Sequence, residues 1–125
     1  MDSQRPEKLI LCVEDHDGMA QFLRDYLSRF PAEFAASYDE AHRLLDEHHF
    51  SLFLLDYHLE DNKTGLDLCR CIRERGIRTP VFVMSVSGDL DTETVRQAGG
   101  NGFIRKNHEF TTVLDAILDS VLGTK

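Results

Sequence analysis

The sequence predicts a doubly wound α/β fold: a five-stranded, mostly parallel sheet with helices on both faces. Three observations carry that prediction. Short apolar runs alternate with segments whose apolar residues recur at helical spacing. The runs are apolar throughout instead of alternating with polar residues, which suits strands buried on both faces. Finally, polar residues with chemical capacity end four of the runs, at the edge where open α/β sheets bind their ligands.

In chain order, Lys8-Leu9-Ile10-Leu11-Cys12-Val13 reads as a strand ending in Glu14 and Asp15. Met19, Phe22, Leu23, Tyr26, Leu27 and Phe30 then recur at helical spacing, and Pro31 closes that helix. Glu33-Phe34-Ala35-Ala36 is a weaker strand, expected at the sheet edge, and Ala41, Leu44, Leu45 and His48 mark a second helix. The central strand, Phe50-Ser51-Leu52-Phe53-Leu54-Leu55-Asp56, passes from hydrocarbon straight to a carboxylate. A polar loop from Tyr57 to Thr64 leads to a third helix on Leu66, Cys69, Ile72 and the stem of Arg73, stopped by Gly76. Pro80-Val81-Phe82-Val83-Met84-Ser85 is the fourth strand, ending in a hydroxyl. The helix after it, about Asp91 to Ala98, has little apolar surface. Phe103-Ile104-Arg105-Lys106 is a short fifth strand, and Phe110, Val113, Leu114, Ile117, Leu118 and Val121 form a strong last helix.

At 125 residues and 42% hydrophobic content, the chain is expected to be one globular domain with a real core. No apolar stretch is long enough to cross a bilayer, and Met1 to Pro6 lacks an apolar signal core, so a cytoplasmic location is expected. Cys12, Cys69 and Cys71 are odd in number and contain no Cys-x-x-Cys pair, as suits free thiols in a reducing compartment. A net charge of −8 argues against direct nucleic-acid binding. His42, His48 and His49 lack the cysteine or carboxylate pattern of a zinc site.

Right-handed crossovers bring Glu14, Asp15, Asp56, Ser85 and Lys106 to one edge of such a sheet. A charge beside so much hydrocarbon is costly unless neutralised. Asp56 is therefore read as meeting a divalent cation and accepting a phosphoryl group. Clustered carboxylates repel by about 4 kcal/mol per close pair at an effective dielectric near 20. A hard cation with oxygen ligands relieves this, and carboxylates with water suit Mg²⁺ better than zinc. Lys106 would neutralise charge on the transferring phosphoryl.

The segments Val13-Glu14-Asp15, Leu55-Asp56, Met84-Ser85 and Ile104-Arg105-Lys106, each at a strand end, resemble the receiver domain of bacterial response regulators. Ala98-Gly99-Gly100-Asn101-Gly102-Phe103 is similar to that family's Ala-Gly-Ala-x-x-aromatic turn, and the likeness runs from Lys8 to Val121. It implies strand order 2-1-3-4-5, a flavodoxin-like (CheY-like) three-layer sandwich. Residues 1–7 would be a flexible N-terminus, 8–122 the receiver domain and 123–125 a tail. By position, the resemblance makes Asp56 the phosphoacceptor, supplied by a histidine kinase, a phosphotransfer protein or a small acyl phosphate. Asp15 would bind Mg²⁺ (or Mn²⁺) directly and Glu14 through water, with Asp56 and the backbone carbonyl of His58 as further ligands. Ser85 would hydrogen-bond the phosphoryl oxygen, Lys106 would pair with it, and Phe103 would be the switch aromatic.

The chain departs from the family pattern in places. Asn107 stands where proline usually follows the lysine, so a trans Lys106–Asn107 bond and a rearranged loop are expected. Glu60 replaces a common proline, and Gly65 falls one residue late, implying a lengthened loop. Val86 replaces a small residue and would crowd the phosphoryl site; Phe103 lacks a tyrosine hydroxyl.

The function expected is a phosphorylation-controlled signalling module, with no separate substrate. Its partner surface, on the fourth helix, fifth strand and fifth helix, would include Val95, Arg96, Phe103 and Arg105 and could also support a homodimer. The alternative is an atypical receiver that acts as a phosphorylation-independent interaction or dimerisation module. An aspartyl-phosphate phosphohydrolase is disfavoured because His58, not a second acid, stands two residues after Asp56. Whether the chain is a stand-alone regulator or part of a longer protein is open, Met1 slightly favouring an authentic start.

Overall fold

The computed structural model describes residues 8–60, 62–86, 88 and 90–123. The expected flexible segment 1–7 and the end of the expected tail, 124–125, lie outside them. Five strands alternate with five helices: β1 (Ile10–Val13), α1 (Asp17–Tyr26), β2 (Ala32–Ala35), α2 (Tyr38–Glu47), β3 (Leu52–Asp56), α3 (Gly65–Glu74), β4 (Val81–Ser85), α4 (Thr92–Gln97), β5 (Gly102–Arg105) and α5 (Phe110–Leu122). All strand pairs are parallel, in the order β2-β1-β3-β4-β5. This is the CheY-like α/β fold that the sequence predicts.

Alternation along the strands sorts the core into two layers. Ile10, Cys12, Leu52, Leu54, Met84 and Ile104 pack with Leu23 of α1 and Leu27 just past its end, and with Phe110, Leu114, Ile117 and Leu118 of α5. Their neighbours Leu11, Val13, Phe53, Leu55 and Val81 turn to the opposite face, against Ala41 and Leu45 of α2 and Leu68, Cys69 and Ile72 of α3. A smaller cluster, Leu66, Val83, Leu90, Val95 and Ala98, seats α4. Every residue of β3 is buried, as the unbroken apolar run requires.

Some boundaries differ from the sequence reading. The first helix stops at Tyr26 instead of running to Pro31; Phe30 donates its N–H to the Leu27 carbonyl in a turn and still reaches the core. Val113 of α5 is 38% exposed, so the buried stripe runs instead through Phe110, Leu114, Ile117, Leu118 and Leu122. Gly76, at φ +83°, follows α3 in the left-handed conformation that glycine adopts without strain. The Arg73 guanidinium donates to the carbonyls of Ile77, Thr79 and Gly99, which ties the end of α3 to the turn before β5. No helix among the described residues is long and apolar enough to cross a membrane.

Candidate functional site

The sheet register places the site. Val13 pairs with Leu55, so Glu14 leaves β1 level with Asp56. Ser85 pairs with Arg105, and the next N–H, that of Lys106, donates to the Ser85 carbonyl at 2.9 Å. Glu14, Asp56 and Lys106 share the strand parity of Cys12, Leu54 and Ile104, and so belong to the α1/α5 face of the sheet. Ser85 and Phe103 share the parity of Val83 and belong to the other face.

Lys106 Nζ lies 2.9 Å from Glu14 Oε1 and 2.9 Å from Asp56 Oδ1. These side chains are only 13%, 1% and 7% exposed respectively, so the contacts are made largely out of water. Carboxylate oxygens of Glu14, Asp15 and Asp56 lie within 4.8 Å of one another. At that separation each pair repels by roughly 3–4 kcal/mol at an effective dielectric near 20. One ammonium against three carboxylates leaves an excess of negative charge, and the all-oxygen donor set suits a hard divalent cation. The triad could hold a metal.

Titration behaviour reflects this crowding. Burial pushes the Asp56 carboxyl above the usual carboxylate range; Glu14 adds to the rise and Lys106 opposes it without cancelling it. Asp15 is raised too, by burial first and then by Asp56. Burial works against the Lys106 ammonium, but its hydrogen bonds to Asp56 and Glu14 prevail and hold its pKa above the ordinary lysine value. Cys12, in the core layer below, is pushed far up by burial and remains a thiol.

The loop after Asp56 turns back on itself. Leu59 N–H donates to the Lys63 carbonyl, His58 bridges Thr64 in antiparallel fashion, and Asn62 takes a left-handed φ of 61°, which asparagine tolerates. Thr64 then opens α3 with a capping box closed by Asp67. A Cβ on Gly65 would stand 2.5 Å from the Asp56 carbonyl oxygen, so the helix start can approach the strand end this closely only as glycine.

A cleft of about 390 Å³ above the acids is lined by Glu14, Asp15, His16, Met19, Asp56, His58, Val86 and Lys106. Five sequence-predicted residues thus line one cleft: Glu14, Asp15, Asp56, His58 and Lys106. Val86 stands there too, 72% exposed. Ser85 is buried and absent from the lining, and Phe103, half-buried against the α4 cluster with the Arg105 guanidinium 5.1 Å from its ring centre, lies apart from it. Val95, expected on the partner surface, is fully buried under α4 because it is that short helix's one core anchor. His16 and Met19 went unsuspected. His16 directly follows the acidic pair, and its Nδ1 accepts the Met19 N–H as the N-cap of α1. That adjacency was the available signal.

Residues 10–118 match the family described as "Response regulator receiver domain". The chain belongs to this family. The receiver is 31% identical over 116 residues to the transcriptional regulatory protein MalR of Bacillus subtilis, covering 88% of this chain and 48% of MalR. It is 33% identical over 121 residues to the transcriptional activator protein ExaE of Pseudomonas putida, covering 91% of this chain and 55% of ExaE. The receiver thus spans about half the length of these two curated relatives. Among solved structures, it superposes with a TM-score of 0.83 on a two-component response regulator from Clostridium difficile at 21% identity, covering 94% of this chain and 98% of that one. It also matches the response regulator TrrA of Thermotoga maritima, solved in complex with Mg(2+)-BeF, with a TM-score of 0.77 at 18% identity, covering 88% and 96% of the two chains. Receiver domains are signalling modules of two-component systems, not conventional enzymes.

Proposed function

We propose that this receiver takes a phosphoryl group onto Asp56 from a histidine kinase or phosphotransfer protein, in a Mg²⁺-dependent reaction, and thereby changes a surface read by a partner. The observation that carries this reading is the meeting of Glu14, Asp15, Asp56 and Lys106 in one open cleft, with carboxylate oxygens within 4.8 Å and the ammonium 2.9 Å from two of the acids. The Mg(2+)-BeF complex of TrrA, a structural neighbour, adds support.

Asp15, Glu14, Asp56 and the carbonyl of His58 would hold the cation, with Mn²⁺ as a substitute. Such a cation supplies positive charge opposite the phosphoryl oxygens. One Asp56 carboxylate oxygen attacks phosphorus. The P–N bond of a phosphohistidine breaks as the P–O bond of the acyl phosphate forms, and the electron pair leaves on the imidazole nitrogen. Asp56 reacts as its carboxylate, the form that the Lys106 ammonium favours, and so needs no base to deprotonate it. The ammonium of Lys106 moves its hydrogen bond from the carboxylate to a phosphoryl oxygen. Ser85 lies on the other sheet face, so for its hydroxyl to follow the phosphoryl oxygen the β4–α4 connection must shift. Phe103 shares that face, and a shift there would reach the α4–β5–α5 surface of Arg96, Phe103 and Arg105. That surface would receive an effector protein or a second copy of the chain. Free thiols at Cys12, Cys69 and Cys71 suit the cytoplasm, where a kinase would act.

The test is incubation with acetyl phosphate and Mg²⁺, read by intact mass, for the wild type and Asp56→Asn. A single phosphoryl adduct in the wild type alone is expected. No adduct in either protein would discard phosphotransfer and leave a phosphorylation-independent interaction module.

A further inference from the structure

We propose that Asn107 is a positioning residue that aims Lys106 at Asp56 through a turn closed by its own side chain. The inference rests on Asp56 being the phosphoacceptor only for its kinetic arm. The peptide bond between Lys106 and Asn107 is trans, as are all bonds among the described residues, so the turn after β5 is not shaped by an isomer. Three hydrogen bonds shape it instead, all made by Asn107. Its N–H donates to the Arg105 carbonyl at 2.9 Å, reversing the chain immediately around Lys106. Its Oδ1 accepts the Glu109 N–H at 2.9 Å, and its carbonyl accepts the Phe110 N–H at 3.0 Å.

The second of these bonds matters most. Glu109, at the N-cap position of α5, makes no capping hydrogen bond with its own side chain. The helix start is held from upstream, by Asn107, the residue next to Lys106. On its other side, Lys106 is anchored by its N–H to the Ser85 carbonyl at 2.9 Å. The backbone of Lys106 is thus gripped between the end of β4 and the beginning of α5. Only from a fixed base can a long, flexible ammonium stay within 2.9 Å of both Glu14 and Asp56. Asn107 is itself exposed and touches no reacting atom, so its influence passes entirely through the turn.

The experiment compares the full chain with Asn107→Ala, Asn107→Asp and Asn107→Ser. The last two each retain a short oxygen acceptor, one with added charge and one without. Two readouts are taken: the rate of adduct formation from acetyl phosphate with Mg²⁺, and the side-chain ammonium NMR signal of Lys106 without it. Asn107→Ala is expected to slow the adduct about tenfold, equivalent to about 1.4 kcal/mol of barrier, and to broaden or lose the Lys106 signal. Asp and Ser should restore both at least in part. An Asn107→Ala protein with wild-type rate and signal overturns the proposal, as does equal loss in all three variants. If the wild type forms no adduct, the phosphotransfer reading fails, and the Lys106 signal alone still decides whether Asn107 positions the ammonium.

Discussion

Asp56 carries its charge in surroundings that disfavour it, with burial and Glu14 opposing ionisation and Lys106 only partly compensating. Its folded-state pKa therefore lies above the unfolded value of about 3.9. Above the folded pKa the ionised form destabilises the fold; as pH falls towards the unfolded value that penalty disappears. Without divalent cation, Asp56→Asn is accordingly expected to melt a few degrees higher than wild type at pH 7. The gap should shrink as pH is lowered through the raised pKa, since Lys106 keeps Glu14 as a partner in both proteins. Calorimetry across pH 4 to 8 tests this, and a wild type that melts higher at pH 7 would show the Lys106 pair prevailing over burial. Val86 acts at the same scale. Its branched side chain stands in the cleft beside Asp56, and Val86→Ala is expected to exchange phosphate several-fold faster, as followed by intact mass. Equal rates would show that the side chain stays clear of the incoming group.

Among the helices, α4 is the weak one. It spans Thr92–Gln97, buries only Val95, and starts from Asp91, whose carboxylate accepts the Thr94 N–H at 2.8 Å. That bond, to backbone N–H and hydroxyl of Thr94, holds the Asp91 carboxyl below its usual range. Its support for the helix is present above the ordinary carboxylate pKa and is lost as pH falls through the lowered value. Asp91→Ala is expected to raise amide exchange across α4 several-fold at neutral pH while leaving β3 protected. Unchanged exchange would mean that Val95 and the Arg73 tie to Gly99 hold the region unaided. A short, lightly anchored helix beside Phe103 is what a remodelled surface requires, since little packing must be undone.

For the whole molecule, the decisive quantity is the coupling of fold stability to the cation. The acidic triad exists only when β1 and β3 are in register, so an ion bound there binds the folded state in preference to the unfolded chain. Mg²⁺ at a hundred times its dissociation constant is expected to add about 2.7 kcal/mol, seen as a melting-temperature rise of several degrees. Asp15→Asn should lose more than half of that rise. A melting temperature indifferent to Mg²⁺ in the wild type would remove the metal from the account.

What was legible in the residues alone was the order of events along the chain. Short apolar runs such as Leu52–Leu55 suit central strands, and a charge at the end of one must meet a partner, because burying it alone is too costly. Parallel crossovers then put Glu14, Asp15, Asp56 and Lys106 at one edge without any coordinates. Tertiary structure decided what depends on parity, reach and close approach. It set Ser85 and Phe103 on the sheet face opposite Lys106, put Val95 beneath α4, brought His16 and Met19 into the cleft, and closed the turn after Lys106 through an asparagine side chain. Those outcomes turn on strand register, burial and hydrogen-bond geometry at the scale of a few ångströms, and the pattern of apolar and polar residues alone does not encode them.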